Sequence, residues 1–414
     1  MADCNSKSKI GSSSNVSAGL SYEIIEEIIS RLDAKSVIRL KCLSKHWFSR
    51  ISELSFMDAH HKNQVHRTLL GFSLECSNDD IHSVGGIVMR GSIRSSENFD
   101  EISSIEFPVC RRNVEFVGSD NGVICLVEED HNEVYLWNPA IEMGKHRKLP
   151  PSPYAPSRGR KYSMHTLYGF GYERLTNDFK VVAASYGDKQ CCSFFQRGEQ
   201  VAVYGLKNNS WKTMLMPDIF ASYAHNDSDN DDNCPKVFTV EKESVVVSGS
   251  IHWSIYYSRR YEGVDYYYGV VAFDLSSEEF KLIKLPSSFK YKDSPFPQIF
   301  NMRDCLSLLT FNYSTKIEIW VMKEYGVWDS WTKHLSLGSS QINLFQIWPL
   351  GVSHNGNLLL SKRIVDEPSL DESSPSTDFR TLSFYDPKSR RVQYIGRQER
   401  GSNFATYAES IFLS

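Results

Sequence analysis

The chain has 414 residues, with 46 Lys plus Arg against 50 Asp plus Glu, a formal net charge of −4 and 41% hydrophobic content. That length exceeds one small core and calls for two or three domains, or one large β domain with a small companion. The slightly acidic balance argues against a dedicated nucleic-acid binder, which carries a basic excess, and no apolar run reaches the eighteen residues a membrane helix needs.

Residues 1–18 are polar and Ser-rich and lack the apolar stretch of a signal peptide, so a disordered tail is expected there. Nine cysteines are scattered along the chain, with no CxxC pair and no Cys/His cluster at zinc-ligand spacing. Free thiols in a reducing compartment follow, which places the chain in the cytoplasm or nucleus or both. No metal or cofactor is expected.

Helical periodicity opens at Leu20. Ser21 can cap a helix whose apolar positions are Ile24, Ile25, Ile28, Ile29 and Leu32, with Glu27 and Arg31 paired at i, i+4 on the other face. Asp33 stops this helix and can cap the next. Val37, Leu40, Leu43, Trp47, Ile51 and Leu54 then form one apolar face, with Ser44 a candidate start for another short helix. Arg39, His46 and Arg50 flank that face on one side, Lys41 and Lys45 on the other. A DNA-reading helix would gather its cations on one exposed stripe instead. Two such faces cannot close a core alone, so part of this surface is expected to meet a partner.

The segment "LSYEIIEEIISRLDAKSVIRLKCLSKHWFSRISELSFMDAHHKN" resembles a plant F-box. Leu20, Arg31, Leu32, Lys35, Ser36, Arg39, Lys41, Cys42, Ser44, Lys45, Trp47, Phe56 and His60 carry the resemblance. Ser21 and Asp33 stand where the family usually has proline. The resemblance places an F-box module at 19–63 and implies that Leu20, Ile24, Ile28, Leu32, Leu40 and Trp47 contact a Skp-type adaptor.

From residue 64 onward, strand-like runs broken by Gly, Asn, Asp, Ser and Pro replace helical spacing. A loose unit recurs with a period of about fifty residues. "GSDNGVICLV" with "VYLWNPAIEMGKHRKLP", "VSGSIHWSIYY" with "VAFDLSSEEFKLIKLP", and "GVSHNGNLLLS" with "LSFYDPKSRRVQYIG" show it most clearly. The stretches 168–214 and 305–337 fit less closely. Residues 65–108 can supply most of a sixth unit, which the last strand, 404–413, would complete. The expected fold is a small all-α module followed by a mostly-β domain, 64–414, forming a closed six-bladed β-propeller. Mobile loops are expected at about 223–236 and 366–378.

No chemistry stands out along this region. Gly169-Phe-Gly171 lacks the third glycine and the helix of a dinucleotide fingerprint and reads as a turn at a strand edge. "DSDNDDN" lacks the glycine and the glutamate of a calcium loop. The tryptophans recur at hairpin positions, as blade packing requires. Tyr257, Arg259, Arg260 and Tyr261 lie in a Tyr- and Arg-rich hairpin and form a candidate target-contact patch, since these residue types dominate interface hot spots.

The β region also resembles the plant F-box-associated domain, in "LWNPA", "YGFGY", "NDFKVV", "SGSIHW" and "VVAFDLSSEEF" taken in order. Together the two resemblances imply a non-catalytic substrate receptor of an SCF-type ubiquitin ligase. The F-box would dock the Skp-type adaptor, and through it cullin and RING subunits. The propeller would hold an unknown protein target. An F-box scaffold outside a ligase and a ligand-binding or enzymatic propeller are the alternative readings; no nucleic-acid or membrane partner is expected.

Overall fold

A computed structural model of the protein describes residues 20–64, 68–75, 88–95, 100–106, 114–128, 133–141, 146–153, 165–186, 200–217, 219, 236–239, 244–258, 266–286, 289, 297–312, 316–338, 347–353, 355–365, 378–398 and 403–412. The tail at 1–18 lies outside these residues. So do the two expected mobile loops, apart from Lys236 and Asp378, each the first residue of a strand.

Four helices come first: α1 (Tyr22–Ile29), α2 (Ala34–Leu40), α3 (Lys45–Ile51) and α4 (Leu54–Gln64). Helix α1 ends short of Leu32 because the chain tightens there: Arg31 and Leu32 donate to carbonyls only three residues back, Ile28 and Ile29. Asp33 caps α2 as expected, its Oδ1 accepting from Ser36 N at 2.9 Å. Ser44 caps α3 through Trp47 N at 3.2 Å. The turn between α2 and α3 breaks the single apolar face read from Val37 to Leu54. Val37 and Ile51 are fully buried, while Leu43 and Leu54 are exposed. The Glu27–Arg31 pair forms at 2.6 Å on the exposed face.

The remaining described residues form six antiparallel sheets. Five of them use consecutive strands. The first of these holds β4 (Val114–Asp120), β5 (Val123–Glu128), β6 (Glu133–Trp137) and β7 (His146–Lys148). The next holds β8 (His165–Glu173), β9 (Asp178–Tyr186), β10 (Gln200–Gly205) and β11 (Ser210–Leu215). A five-stranded sheet follows, in which β12 (Lys236–Thr239) and β13 (Val245–Val247) both pair with β14 (Ser250–Ser258), followed by β15 (Tyr266–Asp274) and β16 (Phe280–Ile283). Then come β17 (Gln298–Met302) to β20 (Trp331–Gly338) through β18 (Cys305–Asn312) and β19 (Lys316–Met322), and β21 (Ile347–Val352) to β24 (Arg391–Gln398) through β22 (Leu358–Val365) and β23 (Asp378–Asp386). The sixth sheet joins the two ends of the β region: β1 (Thr68–Glu75), β2 (Val88–Ser95) and β3 (Glu101–Glu106) pair with β25 (Asn403–Tyr407). Leu70 stands opposite Ala405 in that junction. Strand β25 is shorter than the 404–413 run expected, and the chain leaves the sheet after Tyr407. Each repeat unit read from the sequence falls within one sheet.

The sheets contact one another in sequence around the domain, β4 to β8, β8 to β13 and β14, these two to β17, β17 to β21, β21 to β25 and β25 back to β4. This is the arrangement of a β-propeller. Indole N–H groups tie neighbouring sheets together. Trp211 donates to the Pro150 carbonyl at 2.9 Å, and Trp328 and Trp331 donate to Leu285 and Lys284 at 2.9 and 3.0 Å. The "KLP" ending of one unit therefore receives a tryptophan from the next. Trp253, 1% exposed, donates from β14 to the Tyr168 carbonyl of β8 at 2.9 Å. Trp253 and Trp331 are buried, Trp211 is half-buried and Trp328 is exposed, and each indole N–H finds a backbone carbonyl.

Gly169 and Gly171 lie inside β8, not in a turn. Their role is steric. A Cβ on Gly169 would press onto the Trp253 ring and lie 2.8 Å from Ile251 Cγ2, and one on Gly171 would lie 2.8 Å from Leu275 Cδ1. Gly169→Ala should therefore destabilise the protein by about 1–3 kcal/mol, the usual cost of overpacking a full core. Chemical denaturation followed by tryptophan fluorescence measures it; an unchanged midpoint would show that this junction yields freely.

Candidate functional site

The helices bury one side and leave another bare. Ile29, Ala34, Val37, Ile51 and Phe56 form their core, with Ile25, Ile38, Leu40, Trp47 and Met57 packed partly against it. Two residues of the β domain complete that core, Ala140 from the turn after β6 and Ile411 from the segment after β25. The apolar surplus noted in the sequence is thus met in part within the chain.

Four of the six residues expected to contact an adaptor face outward: Leu20 is 59% exposed, Ile24 46%, Ile28 49% and Leu32 37%. Ile24 and Ile28 are i, i+4 on α1 and share one stripe. Leu40 and Trp47 are half-buried against the helical core and so serve packing as well. Tyr22, Leu43, Phe48 and Leu54 are exposed too and were not singled out. Tyr22 needed the fold to find it. It precedes the apolar repeat, yet its ring stands edge-on to His46 at 5.3 Å, which brings the start of α1 beside α3.

Arg50 holds α1 against α3. Its guanidinium makes a two-pronged bond to Glu26, Nε to Oε2 at 2.8 Å and Nη2 to Oε1 at 2.6 Å, and also pairs with Glu53. This fork geometry is specific to arginine. The hydrogen bonds to Glu26 raise the Arg50 pKa further above its ordinary value. Arg50 is therefore a structural clamp and not one of a flanking row of cations. Cys42 and His46 are both exposed, and the described residues hold no group of three or more His, Cys, Asp or Glu that could bind a metal.

Helix α4 rests on the β domain. Met57 packs against the core shared by the β4–β7 and β8–β11 sheets. Burial pushes the His61 imidazole down to about 4, with neighbouring His60 adding to the effect. The helices thus cover the end of the propeller where β4 turns into β5 and β6 turns into β7. Strand β14 starts at that end and runs away from it, so Tyr257, its penultimate residue, lies towards the opposite end. Arg259, Arg260 and Tyr261 lie outside the described residues. Among the described residues, no helix is long and apolar enough to cross a membrane.

Comparison with known proteins agrees with this division. An F-box domain matches residues 18–58, and an F-box associated beta propeller domain matches residues 88–412. The F-box protein CPR1 of Arabidopsis thaliana is 28% identical over 332 residues, spanning 76% of this chain and 72% of that protein. The F-box protein At4g22390 from the same plant is 27% identical over 324 residues, spanning 75% of this chain and 72% of its own length. The F-box/kelch-repeat protein At3g23880, also from Arabidopsis thaliana, is 25% identical over 334 residues, with 77% of this chain and 79% of that protein covered.

Asp33, in place of the family's usual proline, gives a test of the module. Proline would remove an N–H; Asp33 supplies a cap, with Oδ2 also accepting from Ser36 Oγ at 2.6 Å. Its partial burial acts to raise its pKa, but the Ser36 hydrogen bonds outweigh this and the net shift is downward. A depressed carboxyl contributes stability above its unfolded pKa and loses it as pH falls through the folded one. Asp33→Ala should cost about 1 kcal/mol near neutral pH. Denaturation as a function of pH should show the gap to wild type closing only below the ordinary Asp range.

Proposed function

We propose, because this chain belongs to the F-box proteins that carry an F-box associated beta propeller domain, that it is the substrate-recognition subunit of an SCF-type ubiquitin ligase. The module at 19–63 docks a Skp-type adaptor, which brings cullin and RING subunits. The domain at 64–414 holds the protein target. The chain itself is non-catalytic, and ubiquitin transfer belongs to its partners.

The observation that carries this reading is the exposure of Leu20, Ile24, Ile28 and Leu32 on a module that already has a packed core of its own. Large apolar side chains held in the open by a fixed scaffold mark an interaction surface. Burying each contributes about 1.5–3 kcal/mol before association costs are met. Leu40 and Trp47 contribute from the edge of the same module. The cyclic order of sheet contacts supports one closed propeller of six blades, each repeat unit supplying one and the two ends of the β region sharing the last.

With the helices on one end of that ring, the opposite end is the face free to take a target. Tyr257 stands next to last in β14, and Arg259, Arg260 and Tyr261 follow it in the sequence. Tyrosine and arginine there would give anchor residues of the kind that dominate protein interfaces.

Two measurements test the two halves. Leu20→Ala with Leu32→Ala should abolish co-purification with a Skp-type adaptor while the propeller still melts cooperatively; adaptor recovery at the wild-type level would sink the docking assignment. Arg259→Ala, Arg260→Ala and Tyr261→Ala together should lower target recovery by proximity labelling in the presence of a proteasome inhibitor. Undiminished recovery from a folded variant would remove this patch from the target face.

A further inference from the structure

The chain beyond β25 does not end at the sheet it completes. Tyr407, 3% exposed, packs with Phe116 and Trp137 in the core between that sheet and the next. The segment then runs between the helices and the propeller, and its side chains alternate between them. Glu409 and Ile411 serve the helices. The Glu409 carboxylate accepts from Ala34 N, the first N–H of α2, at 3.3 Å, and the fully buried Ile411 sits in the helical core with Val37 and Phe56. Ser410 and Phe412 serve the propeller. Ser410 Oγ donates to the Asn121 carbonyl, and the Phe412 ring stands edge-on to Tyr172 at 5.0 Å between centroids. An extended segment throws successive side chains to opposite sides, so one short stretch can grip two bodies at once.

The propeller is shaped to receive it. Asn138 Nδ2 donates to the carbonyls of Ser410 and Phe412 at 3.0 and 2.9 Å. Gly122, at φ +72°, leaves the space that the segment fills: a Cβ there would lie 2.7 Å from Ser410 Cβ and 2.8 Å from the Ala408 carbonyl oxygen.

Domains joined by one short connection move against each other unless a substantial apolar interface holds them. Here only residues 65–67 separate α4 from β1. We propose that residues 407–412 are a strap that fixes the helical module on the propeller, so that both move as one body. In the receptor reading, on which this significance rests, the strap sets the position of the target relative to the adaptor. The strap itself needs no adaptor to be tested.

The test uses the full chain with paired non-cysteine spin labels at the exposed Lys35 and Lys323 and reads the distribution of distances between them. The wild type should give one narrow maximum, and Ile411→Val should keep it. Ile411→Asp combined with Glu409→Ala should lose that maximum and spread the distribution, while the propeller's thermal transition remains. A second variant avoids altering the strap itself: Ala140→Arg crowds the helical core from the β6–β7 turn and should spread the distribution in the same way. If the double variant unfolds the propeller, the Ala140→Arg distribution decides. A narrow maximum that survives in Ala140→Arg, or in a folded double variant, overturns the proposal. Adaptor capture plays no part in the readout, so failure of the receptor reading would leave this result standing.

Discussion

The side-chain amide of Asn138 is satisfied on every side, and much of the molecule is arranged around it. Its Oδ1 accepts from Ala140 N at 3.0 Å and shapes the turn after β6. Its Nδ2 takes two carbonyls of the closing segment. The side chain is buried, where a lost partner would leave a costly unpaired dipole. The same turn places Ala140 in the core of the helices. Ring and chain segment therefore share one set of hydrogen bonds, and the helices pack on the same turn through Ala140.

Around the ring, cohesion comes from a repeated device of another kind. An indole from one sheet reaches the backbone carbonyls that end the preceding one, at Pro150 and again at Lys284 and Leu285. Where an inner strand must accept a whole ring, as β8 does for Trp253, it carries glycine. The Lys180 ammonium adds a polar tie: it bonds the Leu275 carbonyl at 2.5 Å and Glu278 Oε1 at 2.9 Å.

Much of this organisation was legible in the sequence. The caps at Asp33 and Ser44 and the unit boundaries are local, and local chemistry announces them. Ile24 and Ile28 could be placed on a surface stripe by spacing alone. The failures are long-range. Gly169 looked like a turn because its reason, Trp253, lies in another unit. Arg50 looked like one of several flanking cations because its partner, Glu26, lies two helices earlier, on α1. The end of the chain looked like a plain strand, since nothing in "AESIF" declares that Glu409 and Ile411 belong to helices made at the other end. Which half of the apolar surplus is covered internally and which is bare was likewise decided by contacts no periodicity encodes.

The closing segment also has a consequence in time. The ribosome makes α1 to α4 well before residues 407–412. Until those residues emerge, Val37, Ile51 and Phe56 lack the cover that Ile411 gives them. A nascent or prematurely terminated chain therefore carries helices with an additional uncovered apolar face, the kind of surface that chaperones and degradation machinery bind. A chain that stops before residue 407 is thus distinguishable from one that passes it by the state of its helices, although the missing residues belong to the other domain.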